Sequence, residues 1–334
     1  MSVAFIPPPL QAFPLISDWL SFTEMGGVDL LSGRVELGQG IATALTQIAA
    51  DELDIDMNTI NLIQGHSEIS PAEGPTVGSL SITLGGQSIR IASAAARALM
   101  LETAAGLLQT TASALTVRAG GIFKDGLETS LSYASLSRSV DLFVIAIDYA
   151  EPKAAIDRRI TGTSAPRVDL AARMNVGYLL HDMTLDGMLH GRVIQPPSLT
   201  SIADAIPELS NGATLVCDGQ FLSVVAQDEY TALTEARRLA NGIRWSNTSV
   251  GEVHPVDGLD GAISESEKLY NSDNLGAGIT EISITLTKPV LSHASIGPSC
   301  AVAHWQGDSL TVWAHSQNVF ALKTSLARVL NLSL

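Results

Sequence analysis

Two cysteines, Cys217 and Cys300, stand in a chain of 334 residues. They are too few to hold an iron–sulfur cluster or a disulfide framework and share no metal-ligand spacing, so a reducing compartment is the expected setting. Cations are sparse too: Lys and Arg number 19 against 34 Asp and Glu, a formal net charge of −15. No basic cluster occurs, which argues against nucleic acid as a partner, because a phosphate backbone needs clustered cations. Aromatics are 5% and charged residues 16% of the chain, while 46% is hydrophobic. That composition describes a tightly packed globular protein, and the low share of charge suits a surface partly covered by another subunit. Long hydrophobic runs are also missing. No apolar stretch is read as reaching the roughly 18–20 residues of a membrane span, so the chain is expected not to cross one. The opening residues MSVAFIPPP lack a basic segment and carry three prolines, which predicts no secretory signal and a cytoplasmic protein, exported only with a signal-bearing partner.

The length allows two or three compact modules. Residues 1 to about 30 read as an extended, proline-punctuated arm leading to a strand that ends near Val35. Apolar residues at Ile41, Ala44, Leu45, Ile48, Ala49 and Leu53 have helical spacing, and that helix begins at a Gly-Gln-Gly turn. A strand is expected over Thr59–Gln64, then an alanine-rich helix over Ser79–Leu108 with Gly85-Gly86 as a weak point in its first turns. Leu115–Leu127 predicts a hairpin turning at Gly120-Gly121. The sequence turns polar and basic from Glu151 to Arg173, where a module boundary is placed, giving modules 1–150, 151–255 and 256–334. In the second, Met188–Ile194, Thr214–Cys217 and Leu222–Val225 read as strands and Ala232–Ala240 as a helix. The third opens with a Gly-, Ser- and Asp-rich loop, 251–276, followed by strands at Ile279–Thr287, Cys300–His304 and Leu310–His315 and a helix from about Ala321 to Leu330. The fold class is mixed α+β. Its final strand–helix unit has little to pack against alone, so further sheet is expected from elsewhere.

Two segments carry the chemistry: Gly-Arg-Val-Glu-Leu-Gly-Gln-Gly (33–40) and Gly-Pro-Thr-Val-Gly-Ser-Leu-Ser (74–81). Each sets small, hydrogen-bonding residues ahead of a helix, where free N–H groups and the positive end of the helix dipole favour an anion. Taken singly, each also fits an ordinary turn or a Ser/Thr helix cap. Taken together they suggest a large phosphorylated ligand, and Gln39 offers an amide suited to a polar cofactor. The seven histidines show no ligand pair, and no Gly-x-Ser-x-Gly elbow is present, so neither a metal site nor a serine hydrolase is expected. Asp51-Glu52 and Asp228-Glu229 read as solvated helix ends.

Four blocks in order, VELGQGIATALTQIAADEL (35–53), SPAEGPTVGSLSI (70–82), DGMLHGRVIQPP (186–197) and LTVWAHSQNVF (310–320), resemble the molybdenum-cofactor subunit of the xanthine oxidase family. The likeness runs from about Trp19 to the last residue and is strongest to the isoquinoline and nicotinate dehydrogenase branch. The resemblance implies that Gly38, Gln39 and Gly40 hydrogen-bond the molybdopterin, and that Thr76, Gly78, Ser79 and Ser81 hold its phosphates. It implies that Gln317 approaches an oxo ligand of molybdenum, which makes it the one catalytic candidate, and that residues from about Gly177 to Trp245 form the structural "hammerhead" domain.

The family's chains continue beyond this point, through a Gly-Phe-Gly loop and a Gly-Glu-Pro segment with the catalytic glutamate; neither occurs here, and Gly297 stands where relatives carry a glutamate. The expectation is therefore one part of a split molybdenum hydroxylase, oxidising an N-heteroaromatic carbon or an aldehyde with oxygen from water. The implied cofactor is molybdopterin, in its cytosine dinucleotide form, shared with a second cofactor-binding chain that carries the glutamate. 2Fe-2S clusters would lie on another subunit, with a cytochrome c or similar electron acceptor beyond. A cofactor-free scaffold subunit and a fragment of a longer product are the rival readings.

Overall fold

The computed structural model describes residues 5–175, 179–198, 200–210, 212–247, 284, 293–295 and 297–334. The chain divides into two units, residues 1–182 with 299–334, and residues 183–298. The polar stretch at Glu151 falls inside the first. The loop 251–276 and the strand expected at Ile279–Thr287 lie outside the described residues.

The N-terminal arm is folded, not extended. Proline suits the first turn of a helix, and Pro8–Ala12 forms helix α1, followed by a 3-10 turn at Ile16–Asp18. Leu10, Ile16 and Trp19 are buried, and Trp19 Nε1 donates to the Phe13 carbonyl at 2.8 Å. Strands β1 (Leu20–Phe22) and β2 (Val28–Ser32) are antiparallel, and β3 (Ile60–Gln64) lies parallel to β2. Parallel neighbours need a crossover, which helix α2 (Ile41–Leu53) supplies with the bounds its apolar spacing predicts.

The second long helix opens with six residues of π-helix, Ser81–Gly86, and continues as α3 (Gln87–Leu108). Gly85-Gly86 therefore widens the first turns without breaking them. Together they make a 28-residue helix with a mean hydropathy of 1.4 over 18 residues, so one segment does have the length and apolarity of a span, contrary to the reading from sequence. Half of that window is buried in the unit: Ile89, Ala92, Ala96 and Met100 join Leu45, Ala49 and Leu53 of α2 in one apolar cluster. Its buried half packs the core.

Strands β4 (Leu115–Arg118), β5 (Gly121–Lys124) and β6 (Leu127–Ser132) form a meander. The first turn is Ala119-Gly120, one residue earlier than expected, with φ of 47° and 77°; two left-handed residues are what a two-residue hairpin matched to strand twist requires. Helix α4 (Tyr133–Leu136) follows, and the buried Tyr133 hydroxyl donates to the Leu53 carbonyl at 3.0 Å, capping the end of α2. Burial pushes the Tyr133 phenol well above its ordinary value.

Asp51 and Glu52 are not solvated, being 2% and 0% exposed. Asp51 accepts from the backbone N–H groups of Arg159, Ile160 and Thr161, and Glu52 pairs with Arg90 at 2.6 Å and accepts from Lys153 N. These bonds tie the polar segment after residue 150 to α2. A short helix, α5 (Leu170–Arg173), follows.

The second unit holds the antiparallel sheet β7-β10-β9 (β7 His190–Ile194, β9 Ala213–Asp218, β10 Phe221–Ala226) and the pair β8 (Ile202–Ala205) with β11 (Arg244–Ser246). Helix α6 (Glu229–Gly242) packs Ala236 and Leu239 onto Ile194, Leu222 and Val224. Asp228 caps it through Thr231 N at 2.8 Å, so this acidic pair does mark a helix end. The chain then returns to the first unit as the hairpin β12 (Ala301–Gln306) and β13 (Ser309–Ala314) and helix α7 (Val319–Leu330), of which Ala327 alone is buried.

Tyr133→Phe should lower unfolding stability by about 1–3 kcal/mol, because the Leu53 carbonyl stays buried without its donor. Denaturant melts of the two proteins would check this; an unchanged midpoint would mean that another group caps α2.

Candidate functional site

The two glycine-rich segments meet because of the sheet. Ser32 at the end of β2 pairs with Gln64 at the end of β3, and residues 33–40 follow the first strand as 65–80 follow the second. Loops leaving the carboxyl ends of adjacent parallel strands converge at the edge where open α/β sheets bind ligands.

A buried ion pair locks them together. Arg34 Nε stands 3.4 Å from Glu73 Oε2, with side chains 1% and 0% exposed. Glu73 Oε1 accepts from Ser32 Oγ at 2.6 Å and Gly33 N at 2.8 Å, and Arg34 donates to the carbonyls of Glu73 and Pro75. Burial pushes the Glu73 carboxyl up, against the pull of Ser32, Arg34 and Gly33. Gly85 is required here: a Cβ would sit 2.4 Å from Glu73 Oε2.

The start of α2 is not an open anion cradle. Glu36 fills it, accepting from Gly38 N at 2.7 Å, Gly40 N at 3.0 Å and Ala42 N at 3.0 Å. Burial alone would raise its carboxyl, but the N–H groups of Ala42, Gly40 and Gly38 outweigh burial and hold it below the ordinary value. Arg167 and Arg173 approach Glu36 at 3.4 and 3.7 Å and share Asp169, while Arg167 Nη1 donates to the Gly38 carbonyl. Gln39 is exposed and braces its own loop, accepting from Leu37 N and donating to the Val35 carbonyl at 3.1 Å.

The second segment is open. Its helix starts at Ser81 with no side-chain cap, and Gly78 and Ser79 ahead of it are both left-handed, φ 63° and 58°, a rare conformation for serine. Gln39, Gly40, Thr76, Gly78, Ser79 and Ser81 line one cleft of about 420 Å3 with the apolar Ile41 and Ile82. Among the described residues the Ser79 and Ser81 hydroxyls have no protein partner. Thr76 Oγ1 accepts from Val35 N at 3.0 Å, joining the two loops. Gln317 reaches the site through Thr76: Thr76 N donates to the Gln317 carbonyl and Gln317 Nε2 donates to the Thr76 carbonyl, both at 2.8 Å. Six of the eight expected residues thus share the cleft; Gly38 lies beside it in the 33–40 loop, and Gln317 clips its wall. The cleft pairs helix-start N–H groups and free hydroxyls with an apolar flank, which suits an oxyanion carried by a flat organic group. No three His, Cys, Asp or Glu side chains come together as a metal-ligand set among the described residues.

Arg34, Glu36 and Glu73 escaped the reading from sequence. Glu36 had a signal, since an acid just ahead of a helix complements its dipole. The Arg34–Glu73 pair had none, being joined only by the sheet.

Residues 9–158 match the molybdopterin cofactor-binding domain family. The chain is 32% identical over 335 aligned positions to a nicotinate dehydrogenase subunit from Pseudomonas putida, a match covering 93% of this chain and 28% of that protein. It therefore spans a little over a quarter of the curated relative's length. Among solved structures, the Cu,Mo-CO dehydrogenase in its carbon monoxide reduced state overlaps 35% of this chain and 15% of its own, at 25% identity and a TM-score of 0.32. Quinoline 2-oxidoreductase from Pseudomonas putida 86 overlaps the same shares at 21% identity and a TM-score of 0.29.

Glu36→Gln should destabilise the start of α2 by about 0.5–2 kcal/mol at neutral pH, the range for losing a helix cap. Because the folded carboxyl lies below the ordinary 4.5, its contribution is complete above that value and is lost as pH falls through the folded one. The gap between the two proteins should therefore close on acidification, as pH-resolved denaturation would show; a constant gap would remove the charge from the argument.

Proposed function

From a chain that carries a molybdopterin cofactor-binding domain over residues 9–158 and is related to the molybdenum-cofactor subunits of the xanthine oxidase family, we propose that the Ser79–Ser81 cleft takes the phosphates of that cofactor. The observation that carries this is the pairing of an uncapped helix start with two free serine hydroxyls in the domain that the family match covers. Gly78 and Ser79 would present backbone N–H groups and Ser79 and Ser81 their hydroxyls, with Thr76 fixing the loop and Gln39 and Gly40 forming the facing wall. Glu36 already takes the N–H groups of Gly38, Gly40 and Ala42, so on this reading the loop shapes the cleft wall and takes no second phosphate. Gln317 spends one amide hydrogen on Thr76, and the second is free to act as a neutral donor near the metal.

The whole protein, on this reading, is one subunit of a molybdenum hydroxylase that oxidises an N-heteroaromatic compound or an aldehyde with oxygen from water. When bound, the molybdenum cofactor supplies the redox chemistry. A second chain would contribute the rest of the cradle and the glutamate base, an iron–sulfur subunit would take the electrons, and a cytochrome c or similar acceptor would receive them. The cofactor would be the cytosine dinucleotide form.

The test is the complex isolated through a tag on this chain, assayed for molybdenum and pterin. Ser79→Ala with Ser81→Ala should cut pterin content at least tenfold, since each removes a hydrogen bond to a charged group worth about 1.5–3 kcal/mol. Full occupancy in the double variant would sink the phosphate assignment. Gln317→Ala should keep the cofactor and lose on the order of 100-fold in kcat; loss of cofactor instead would make Gln317 a clip on Thr76 alone.

A further inference from the structure

At the opposite end of α2 a second cleft, of about 260 Å3, is lined by Arg97, Arg118, Lys153 and Arg159 with Asp54 and Asp157. Three separate stretches supply its cations: α3 gives Arg97, the end of β4 gives Arg118, and the segment that Asp51 and Glu52 anchor gives Lys153 and Arg159. Four cations converge against two carboxylates, although acids outnumber bases in the chain by 34 to 19. One carboxylate is spent, because Lys153 Nζ contacts Asp54 Oδ1 at 2.5 Å and donates to the Asp51 carbonyl.

The three arginines are left over. Among the described residues none of them has a carboxylate within ion-pair distance, which is also true of Arg158, Arg237, Arg244 and Arg328; what sets these three apart is that they converge on one cleft. Arg118 lies over the Phe123 ring at 5.1 Å, which holds its guanidinium plane in place. Arg97 Nε is buried and has no acceptor among the described residues. A buried guanidinium N–H without an acceptor is costly, and planar guanidinium forks match phosphate oxygens two at a time. The volume lies below the roughly 300–1,000 Å3 of drug-sized ligand clefts, which fits a small anionic group better than a segment of protein.

We propose that this cleft is a second oxyanion site of the subunit, which takes a phosphate or diphosphate group of a small molecule through Arg97, Arg118 and Arg159. It is separate from the Ser79–Ser81 cleft by the length of α2, 13 residues or about 20 Å at 1.5 Å per residue. It does not depend on what fills that other cleft.

Inorganic pyrophosphate is the probe, titrated calorimetrically into the intact complex at low salt. One saturable site is expected, weakening as ionic strength rises because the pairing is electrostatic. Arg118→Gln and Arg159→Gln change exposed side chains and should each weaken it tenfold or more; Arg97→Gln should do at least as much, with circular dichroism confirming its fold. Ser81→Asp, which puts a negative charge into the other cleft, should leave this affinity unchanged. Absence of saturable binding up to about 10 mM would overturn the proposal. So would binding that survives Arg118→Gln and Arg159→Gln but is lost in Ser81→Asp.

Discussion

Glu73 and Arg34 face each other with both side chains closed to solvent, and the geometry of the cleft follows from that contact. Glu73 holds Ser32 and Gly33 at the end of β2, while Arg34 reaches back to the carbonyls of Glu73 and Pro75. The loops after two strands are thus fixed to one another before any ligand arrives. A buried pair of this kind adds little net stability, since desolvation offsets attraction, yet removing one partner costs about 3–5 kcal/mol. Its effect is to specify one arrangement. Gly33 and Gly85 serve the same contact: a Cβ at Gly33 would lie 2.2 Å from the Pro71 carbonyl oxygen, and one at Gly85 would meet Glu73 itself.

Acidic residues do much of the joining in the first unit. Glu36 closes the start of α2, Asp51 and Glu52 fasten the segment after residue 150, and Asp169 gathers Arg167 and Arg173 beside Glu36. Hydrogen bonding to Arg167 and Arg173 holds the Asp169 carboxyl far below the usual range. Part of the net negative charge is therefore internal scaffolding. A reading that counts charges to infer partners misses this, because a count does not tell a carboxylate facing water from one facing three backbone N–H groups.

Local periodicity carried most of the fold. Helix α2 has the bounds its apolar spacing predicts, and β7, β9, β10 and α6 of the second unit lie within a few residues of expectation, because each such pattern is written within a dozen positions; the short strands β8 and β11, which pair with each other across about forty residues, were not foreseen. The errors have physical causes. The prolines at 7–9 suggested an extended arm, but they open a helix whose neighbours Leu10, Ile16 and Trp19 are drawn into the core. The hairpin turn moved to Ala119-Gly120 because the turn needs two left-handed residues in sequence, not two glycines. At the site, Thr76, Gly78, Ser79 and Ser81 were legible as small polar residues ahead of a helix. The occupation of α2's start by Glu36 was not, since it depends on how a loop folds back over its own glycines.

The six π-helical residues at Ser81–Gly86 have a consequence for which sequences this site tolerates. A π turn accommodates one residue more than an α turn, so the segment takes up an extra residue between the cleft and the core while the faces on either side stay in phase. Residues after it are set by packing on α2, and residues before it by the loop that Glu73 holds. Each residue of an α-helix advances the face by 100°. Because a π turn spreads one rotation over an extra residue, deleting one position from 81–86 would return the segment to α winding over nearly the same arc, and Ser81 and the core-facing residues of α3 would keep their directions. Loss of one residue is therefore expected to be better tolerated within 81–86 than within the regular turns of α3, where it would swing everything ahead of it by a full 100°.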